Sequence, residues 1–367
     1  MASIRKRPNG KWRARYRDPD GREHARHFAR KVDAQRWLDE TTTDLVTGRY
    51  VDPSAGQVTF RDYAQRWLTG QPHRPSTASL YERLLRLHVF PVFGDRALAS
   101  IKRSDVQGWV AAFSETHAPE TVHGTYARVR TIFLAAVEDR VLAESPCRRI
   151  ALPEKHDEKV VPLTIAEVRR LIEAAPDDLR ALIVFAAATG LRSGELLGLT
   201  VDRVNFLRRE VEVAQQLVYI TGQEPMIGPP KTKASRRVVP VPAFALDELA
   251  EHLRRWPAEP GELVFRSSKG RPILRTTLNG RWRRTVERAG LPAGTRLHHL
   301  RHHYASVLID GGESVKVVQE RLGHASAVET LRTYSHLFPS SDERTRTVVE
   351  SAWSTAPADS LRTAEAE

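Results

Sequence analysis

The stretch from Arg296 to Tyr334 places the strongest constraint on this chain. It contains His298 and Arg301, three residues apart, and then a Leu-Gly-His motif that ends at His324, ten residues before Tyr334. An arginine holds phosphate through a planar, bidentate fork, and a tyrosine hydroxyl can act as a covalent nucleophile. Histidine is suited to moving protons near neutral pH. The stretch therefore predicts a site that handles phosphate.

Two further motifs lie upstream of this stretch. The first is a Thr-Gly-Leu-Arg motif that ends at Arg192, with Glu195 three residues later, and the second is a Lys-Thr pair that begins at Lys231. The order Arg, Lys, His-x-x-Arg, Leu-Gly-His, Tyr covers 143 residues from Arg192 to Tyr334. A Thr-Gly-Leu-Arg motif alone occurs by chance, but the five pieces in this order resemble the tyrosine recombinases, the phage integrase family.

The resemblance implies that the matching residues break a DNA phosphodiester bond. Its nucleophile would be Tyr334, and Glu195 would orient the guanidinium of Arg192 from the same face of a helix. The other implied positions are cationic or titratable side chains that hold the phosphate or move protons: Arg192 and Arg301 on the phosphoryl oxygens, Lys231 on the leaving oxygen, His298 near Tyr334, and His324 on the phosphate.

Three alternatives compete with these assignments. Lys233 competes with Lys231 for the catalytic lysine, and Tyr304 competes with Tyr334, although Tyr304 falls on the helix of the His-x-x-Arg motif and is expected to face the core. The run 298–303 also contains two histidine pairs four residues apart, a spacing that suits a metal. It lacks the glutamate of an H-E-x-x-H motif and an apparent third ligand, so neither a metal nor another cofactor is predicted.

The first 50 residues are strongly basic, with 13 Lys and Arg against 7 Asp and Glu. Apolar and cationic residues alternate from Lys11 to Arg17, which predicts a strand with one cationic face. With a strand at 23–28 and a helix at 31–46, this region resembles the arm-type DNA-binding domain at the front of many phage integrases. An alternative is a solvated sheet edge. The predicted DNA contacts are Arg5, Lys6, Arg7, Lys11, Arg13, Arg15 and Arg17.

The rest of the chain predicts two larger domains. Residues 57–150 carry apolar residues at helical spacing, with Ser76 and Thr77 as predicted helix caps, and they resemble the helical core-binding domain of the family. Residues 160–354 mix helices with strands at 210–213 and 238–242, as expected of the catalytic domain. The predicted fold is α+β and mainly helical, with a three-stranded sheet plus helix at 1–50 and a disordered tail at 355–367.

Composition limits the partners and the compartment. A net charge of +12 and a pI of about 10.1 favour an acidic partner, and nucleic acid is the usual one. The single cysteine, Cys147, excludes an internal disulfide and fits a reducing cytosol. The sequence has no apolar run long enough to span a membrane. A bacterial cytosolic location on the nucleoid is therefore expected.

The sequence thus predicts a site-specific integrase that cleaves and rejoins DNA through a 3′-phosphotyrosine at Tyr334, without ATP or metal. Its expected partners are double-stranded attachment sites, further copies of itself in a DNA-bound tetramer, and an accessory bending or directionality protein. Two alternatives remain. A type IB topoisomerase is disfavoured by the basic N-terminal region and the Leu-Gly-His motif, and a DNA-binding regulator without catalysis is disfavoured by the full set of motif residues.

Overall fold

The computed structural model describes residues 2–19, 21–47, 50–52, 54–155, 159–338 and 342–354. The chain folds into two compact units, Met1–Asp157 and Glu158–Glu367. The predicted tail at 355–367 lies outside the described residues. Within the described ranges, no helix combines the length and the apolar character that a membrane span requires.

The first unit begins with the predicted three-stranded sheet and helix. The strands β1 (Ser3–Lys6), β2 (Trp12–Arg17) and β3 (Glu23–Phe28) are antiparallel in the order β1-β2-β3, and α1 (Lys31–Val46) packs on the sheet. Ala14 and Tyr16 of β2 are buried, whereas Arg17 is exposed, so the predicted alternation is confirmed. The face of the sheet that packs against α1 carries aromatic and small residues. The arginines of β2 point to the opposite face of the sheet.

The remainder of the first unit is helical, as predicted. Its helices are α2 (Phe60–Gly70), α3 (Pro75–Leu84), α4 (Phe90–Phe93), α5 (Arg103–Ser114) and α6 (Pro119–Glu138). Phe60, Phe93 and Phe133 are fully buried at their centre. Cys147 is also buried there, and its carbonyl accepts a hydrogen bond from the Tyr126 hydroxyl at 3.0 Å.

The predicted cap at Ser76 and Thr77 is wrong, because both residues lie inside the first turn of α3. The helix begins one residue earlier, at Pro75, with Arg74 in the extended conformation at the N-cap. Proline is well suited to the first helical position, since its fixed φ matches the helix and its missing N–H would have had no partner there. Its start signal is therefore stronger than that of the serine and threonine that follow.

The second unit mixes helices with short strands. Its helices are α7 (Ile165–Ala174), α8 (Asp177–Thr189), α9 (Ser193–Leu197), α10 (Ala243–Arg255), α11 (Arg275–Arg288), α12 (His299–Asp310), α13 (Val315–Leu322), α14 (Ala327–Tyr334) and α15 (Asp342–Ser354). Its strands are β4 (Val204–Asn205), β5 (Glu210–Val213), β6 (Gln216–Val218), β7 (Met226–Gly228) and β8 (Arg237–Pro240), which form the sheets β4-β5-β8 and β6-β7.

Helix α8 lies at the centre of the second unit, and its apolar run explains why. Residues such as Leu182, Ile183 and Phe185 are fully buried on several faces of this helix, which is typical of a central core helix rather than a surface one. It packs against α7, α10 and α12. The central helix and α12 therefore bring the Thr-Gly-Leu-Arg and His-x-x-Arg motifs together.

Two helices of this unit end at glycines in the left-handed conformation. Gly190 follows α8 with φ 61°, and Gly323 follows α13 with φ 66°. A glycine at this position ends a helix without the steric cost that a Cβ atom would cause. At Gly190 a Cβ would also come within 2.3 Å of the Tyr304 ring, which covers the end of α8. Tyr304 thus faces the core, as predicted.

Replacing Gly190 with alanine should destabilise the second unit. The left-handed torsion and the clash with Tyr304 together should lower the free energy of unfolding by roughly 2–4 kcal/mol. Thermal unfolding of the full chain would measure this loss. As a matched control, Gly280→Ala in α11 places a Cβ where no atom lies within 4 Å. It should leave stability unchanged or raise it by about 0.5–1 kcal/mol. Equal melting temperatures for the two variants would contradict this account of Gly190.

Candidate active site

Arg301 is a buried cation that is held by main-chain carbonyl groups. One Nη atom donates to the Gly190 carbonyl at 2.8 Å and the other to the Leu322 carbonyl at 2.6 Å. Only 2% of the residue is exposed, and among the described residues no carboxylate forms an ion pair with it. Burial, followed by the charge of Arg192, lowers the pKa of its guanidinium to about 9. It therefore stays charged at neutral pH.

Arg192 lies at the N-cap of α9 and reaches the end of α13, one of the two helix ends that hold Arg301. One Nη atom donates to the Gly323 carbonyl at 3.0 Å and the other to Glu195 at 3.0 Å. The Glu195 carboxylate also accepts a hydrogen bond from the Arg192 main-chain N–H at 3.0 Å. Glu195 does orient the guanidinium, but it does so from the first turn of a helix that Arg192 caps. The expected shared helix face is therefore wrong, because Arg192 precedes the helix.

A third arginine, Arg237 of β8, shares the carboxylate of Glu195. Its Nη atom lies 2.9 Å from Glu195, and its Nε atom donates to the Arg321 carbonyl at 2.7 Å. Both side chains of this pair are almost fully buried. Burial raises the pKa of Glu195, but the hydrogen bond and charge of Arg237, with a smaller contribution from Arg192, outweigh it and hold the pKa below its usual value. Three arginines against one carboxylate leave this cluster positive.

Tyr334 is the last residue of α14, and its ring is almost completely buried. Its hydroxyl oxygen lies 2.8 Å from Nδ1 of His302, and the two rings meet nearly edge to face at 5.6 Å. Burial raises the pKa of Tyr334 to about 12, although the charge of Arg301 opposes the shift. The hydroxyl is therefore protonated and fixed in direction at neutral pH. His302, a residue outside the predicted motif, is the one that holds it.

Two further histidines border the cluster. His324 is buried, with Nδ1 2.8 Å from the Thr330 hydroxyl and its ring stacked 6.5 Å from that of Tyr334. His298 lies at the N-cap of α12, on the exposed edge of the site, and its ring meets that of His302 edge to face at 4.7 Å. Burial and then the charge of Arg301 lower the pKa of His324 to about 4. The same two causes lower the pKa of His298, because its ring packs against His302 although the residue as a whole is exposed. These imidazoles are thus neutral at pH 7.

Lys231 is not drawn into this cluster. Its side chain is exposed, and within the described ranges no hydrogen bond or ion pair joins it to the arginines, histidines or tyrosine above. The same loop is nevertheless anchored at the site, because buried Ser235 contacts both the Arg192 guanidinium at 3.4 Å and the Thr232 hydroxyl at 3.0 Å. The side chain of Lys233, the competing lysine, lies outside the described residues.

The predicted DNA-contacting residues of the first unit lie on β1, on β2 and in the turn that joins these two strands. Arg5, Lys6, Arg7, Lys11 and Arg17 are exposed, whereas Arg13 and Arg15 are half-buried and pair with Glu23 at 3.2 and 3.3 Å. Two of the seven cations are therefore already partly neutralised.

A possible metal-binding group lies in the same part of the chain. In the part of the chain that the structure describes, Asp18, His24 and Asp52 have ligand atoms within 4.8 Å of one another. An imidazole–carboxylate hydrogen bond of 2.8 Å and the nearby charge of Arg22, 3.8 Å from Asp52, already account for this grouping.

Sequence reasoning misses His302 and Arg237 as site residues. His302 stands in a run of histidines, and only the three-dimensional position of Tyr334 selects one of them. Arg237 follows Arg236 directly, but strand alternation could have indicated which of the two side chains faces inward. Val239 of the same strand is buried, so Arg237 shares the inward face, while Arg236 is exposed.

Three family models match the chain. They are the phage integrase family over residues 162–341, the phage integrase N-terminal domain over residues 2–47, and the phage integrase central domain over residues 60–152. The putative prophage phiRv2 integrase of Mycobacterium tuberculosis is 29% identical over an alignment of 345 residues, and the match covers 91% of this chain and 90% of that protein.

Two solved structures share the fold at low sequence identity. The integrase of transposon Tn1549, in complex with transposon right end DNA, aligns with a TM-score of 0.69 and 23% identity over 80% of this chain and 99% of that one. A lambda integrase, solved as a tetramer bound to a Holliday junction, aligns with a TM-score of 0.59 and 17% identity over 89% of this chain and 96% of that one.

The fold and the matches to all three models define an enzyme of the tyrosine recombinase class. Within that class the chain belongs to the phage integrase family, and it is a site-specific integrase of a phage or mobile element. The fold expected from the sequence is confirmed, from the N-terminal sheet to the mixed catalytic unit.

Replacing Glu195 with glutamine should destabilise the second unit at neutral pH. The change leaves Arg192 and Arg237 without their carboxylate, and loss of one partner from a buried pair costs roughly 3–5 kcal/mol. Because the pKa of Glu195 is lowered by folding, its stabilisation is present above its unfolded pKa of about 4.3 and is lost as the pH falls through the folded value. The free energy of unfolding should therefore fall less steeply on acidification in Glu195→Gln than in wild type.

Urea unfolding from pH 7 to pH 3 would measure both effects. Glu212→Gln is the matched control, because Glu212 pairs with Arg203 at the surface. Its loss should cost less than about 1 kcal/mol. Stability equal to wild type for Glu195→Gln would contradict the role of Glu195 as the shared counter-ion.

Proposed function

We propose that this integrase cleaves and rejoins DNA through Tyr334, which forms a 3′-phosphotyrosine bond and releases a 5′-hydroxyl. The observation that carries the proposal is the buried positive charge beside a buried tyrosine hydroxyl. Arg301 has carbonyl partners but no carboxylate among the described residues, and Glu195 neutralises only one of the two other arginines. A buried cation without a counter-ion is costly, and an incoming phosphodiester would offset that cost.

The two guanidiniums suit the phosphate in geometry as well as charge. Each has five N–H donors, and the carbonyl and carboxylate contacts of Arg192 and Arg301 leave further donors for phosphoryl oxygens. Donors that are fixed before the reaction stabilise the charge that develops on those oxygens in the transition state. His324 borders the arginines and would complete the phosphate contacts, whereas His298 is the residue that the motif assigns to proton transfer near Tyr334. One of the imidazoles beside Tyr334 would take its proton.

The leaving 5′-oxygen needs a proton from another group. Lys231 is the proposed donor, because it lies on a loop that Ser235 anchors against Arg192 while its own side chain remains exposed. DNA that covers this loop would bring the ammonium beside the leaving oxygen, where a positioned lysine can act as a general acid. The reaction conserves the phosphodiester energy in the protein–DNA bond, so neither ATP nor a metal is required.

The proposed working form is a tetramer on DNA. Recombination joins two duplexes with two cleavage sites each, so four tyrosines are needed, and the lambda integrase with which this chain shares its fold was solved as a tetramer on a Holliday junction. Residues 1–50 would bind arm sites, 57–150 and 160–354 would bind and cut the core site, and an accessory protein would bend the DNA or set direction. The proposed location is the bacterial cytosol.

Tyr334→Phe should abolish covalent adduct formation and retain DNA binding, because it removes the nucleophile and little surface. The substrate is a duplex from the junction between the mobile element and its host, nicked beside the cleavage site to trap the adduct. Tyr304→Phe is the matched control, and it should form the adduct normally because its hydroxyl is not at the phosphate site. The yield should be the same in EDTA as in magnesium. An adduct with Tyr334→Phe, or a strict magnesium requirement, would refute the proposal.

The cationic face of the N-terminal sheet should bind a DNA site separate from the core site. Lys11→Gln with Arg17→Gln removes two exposed charges from that face. Each lost phosphate contact should reduce the slope of log affinity against log salt by about 0.9 on full-length attachment DNA. Cleavage of a core-only duplex should not change. Arg36→Gln on α1 is the control, since this exposed residue lies outside the predicted DNA contacts. An unchanged salt slope for the double variant would favour the solvated-sheet alternative.

A further inference from the structure

His302 contacts the atom that Tyr334 would use to attack DNA. We infer that His302 accepts the Tyr334 proton during DNA cleavage and returns it during rejoining, a role that the sequence motif assigns to His298. The inference rests on the proposed function, because it takes Tyr334 as the nucleophile. It adds the identity of the proton acceptor, and the two can be tested separately.

The geometry separates the three histidines near the tyrosine. Among the described residues, the hydrogen bond of the Tyr334 side chain is to Nδ1 of His302, at 2.8 Å. His324 uses its Nδ1 atom on Thr330, and its Nε2 atom lies 3.8 Å from Glu329. His298 touches the ring of His302 from the exposed edge of the site. Only His302 is within the distance at which a proton can transfer directly from the hydroxyl.

The buried position of the pair gives the contact a defined direction. Tyr334 is almost fully buried and His302 is half-buried, so each has few alternative partners in water. The tyrosine hydroxyl donates to Nδ1 when the imidazole is neutral and carries its hydrogen on Nε2. Burial, followed by the neighbouring charges, lowers the pKa of His302 to about 3, so the neutral form prevails at pH 7. A neutral Nδ1 atom has its lone pair available for the hydroxyl hydrogen.

The charges around His302 explain why transfer would wait for DNA. His298, His299 and Arg301 face it from its own helix, His324 from the segment after α13, and Tyr334 from α14. Arg301 and any protonated imidazole among these neighbours disfavour a positive His302 in the free protein. A phosphodiester bound at the arginines would bring a negative charge close to the ring and favour the protonated form. Proton acceptance is thus coupled to the presence of the substrate.

The step balances in atoms and charge. As the bond between the Tyr334 oxygen and phosphorus forms, the hydroxyl proton moves to Nδ1 of His302, and the bond from phosphorus to the 5′-oxygen breaks. That oxygen takes a proton from the proposed donor, Lys231. In the reverse step, a 5′-hydroxyl gives its proton to Lys231 and attacks the phosphorus. The bond from phosphorus to the tyrosine oxygen breaks, and His302 returns the proton to that oxygen.

His302→Asn isolates the proton-accepting role from the hydrogen bond. The amide oxygen of asparagine can occupy the place of Nδ1 and accept a hydrogen bond, but it cannot take up a proton near neutral pH. Single-turnover adduct formation on the nicked junction duplex should slow by about 10²–10⁴-fold at pH 7, with unchanged DNA binding. Its rate should then rise about tenfold per pH unit between pH 7 and 9, because tyrosinate must form without help. The wild-type rate should vary much less over the same range.

A second substrate separates the tyrosine proton from the leaving-group proton. A sulfur atom in place of the bridging 5′-oxygen makes a leaving group that needs no proton, so it should restore cleavage by Lys231→Ala. It should not restore cleavage by His302→Asn. His299→Asn is the matched control on the same helix, since His299 bonds the Arg296 main chain instead of the tyrosine. It should cleave within about threefold of wild type, while thermal unfolding checks that each variant is folded.

Each outcome decides the matter. Three results would overturn the inference. They are cleavage by His302→Asn at the wild-type rate, restored cleavage by His302→Asn on the sulfur substrate, and a steep pH dependence in His298→Gln instead of His302→Asn. In all of these cases wild type still forms its adduct on Tyr334, so the proposed function stands. If wild type forms no adduct, or Tyr334→Phe forms one, the proposed function itself fails.

Discussion

The buried charge of Arg301 is the constraint on which the catalytic unit depends. A guanidinium away from water needs acceptors for its donors, and here they are the carbonyl groups at the ends of α8 and α13. The C-terminal end of a helix carries exposed carbonyl groups and partial negative charge, so it is a favourable place for a cation. Both helices must therefore end close to α12. Gly190 makes this possible, because the Tyr304 ring occupies the space of a side chain.

The charge of Arg301 also helps to keep the neighbouring histidines neutral. Burial already disfavours a charged imidazole, and Arg301 adds to that effect at both His298 and His324. The positive charge of the cluster therefore lies on the guanidiniums, which hold their protons. Its histidines are neutral. Neutral histidines can exchange protons with a substrate, whereas the arginines can only bind it. In the proposed reaction, binding would thus fall to the arginines and proton transfer to the histidines beside them.

Periodicity and end signals predict much of this fold. Lys31–Val46, Glu210–Val213 and Val315–Leu322 are predicted with the bounds that the structure has, because each has an apolar pattern between clear end signals. The short strands β6 and β7 carry too few residues for a pattern. The motif order predicts which arginines meet at the site, but the partner of Tyr334 depends on how α12 and α14 pack. No one-dimensional signal distinguishes His302 from the other histidines around it.

A main-chain acceptor does not depend on the side chain beside it. Leu322 lends a carbonyl group to Arg301, and any residue that ended α13 in the same way would lend the same group. Over evolutionary time, selection on this contact would act on helix length and on a glycine torsion angle more than on the chemical identity of the neighbours. Lineages of such chains can drift far apart in sequence while descendants inherit the arrangement as backbone shape.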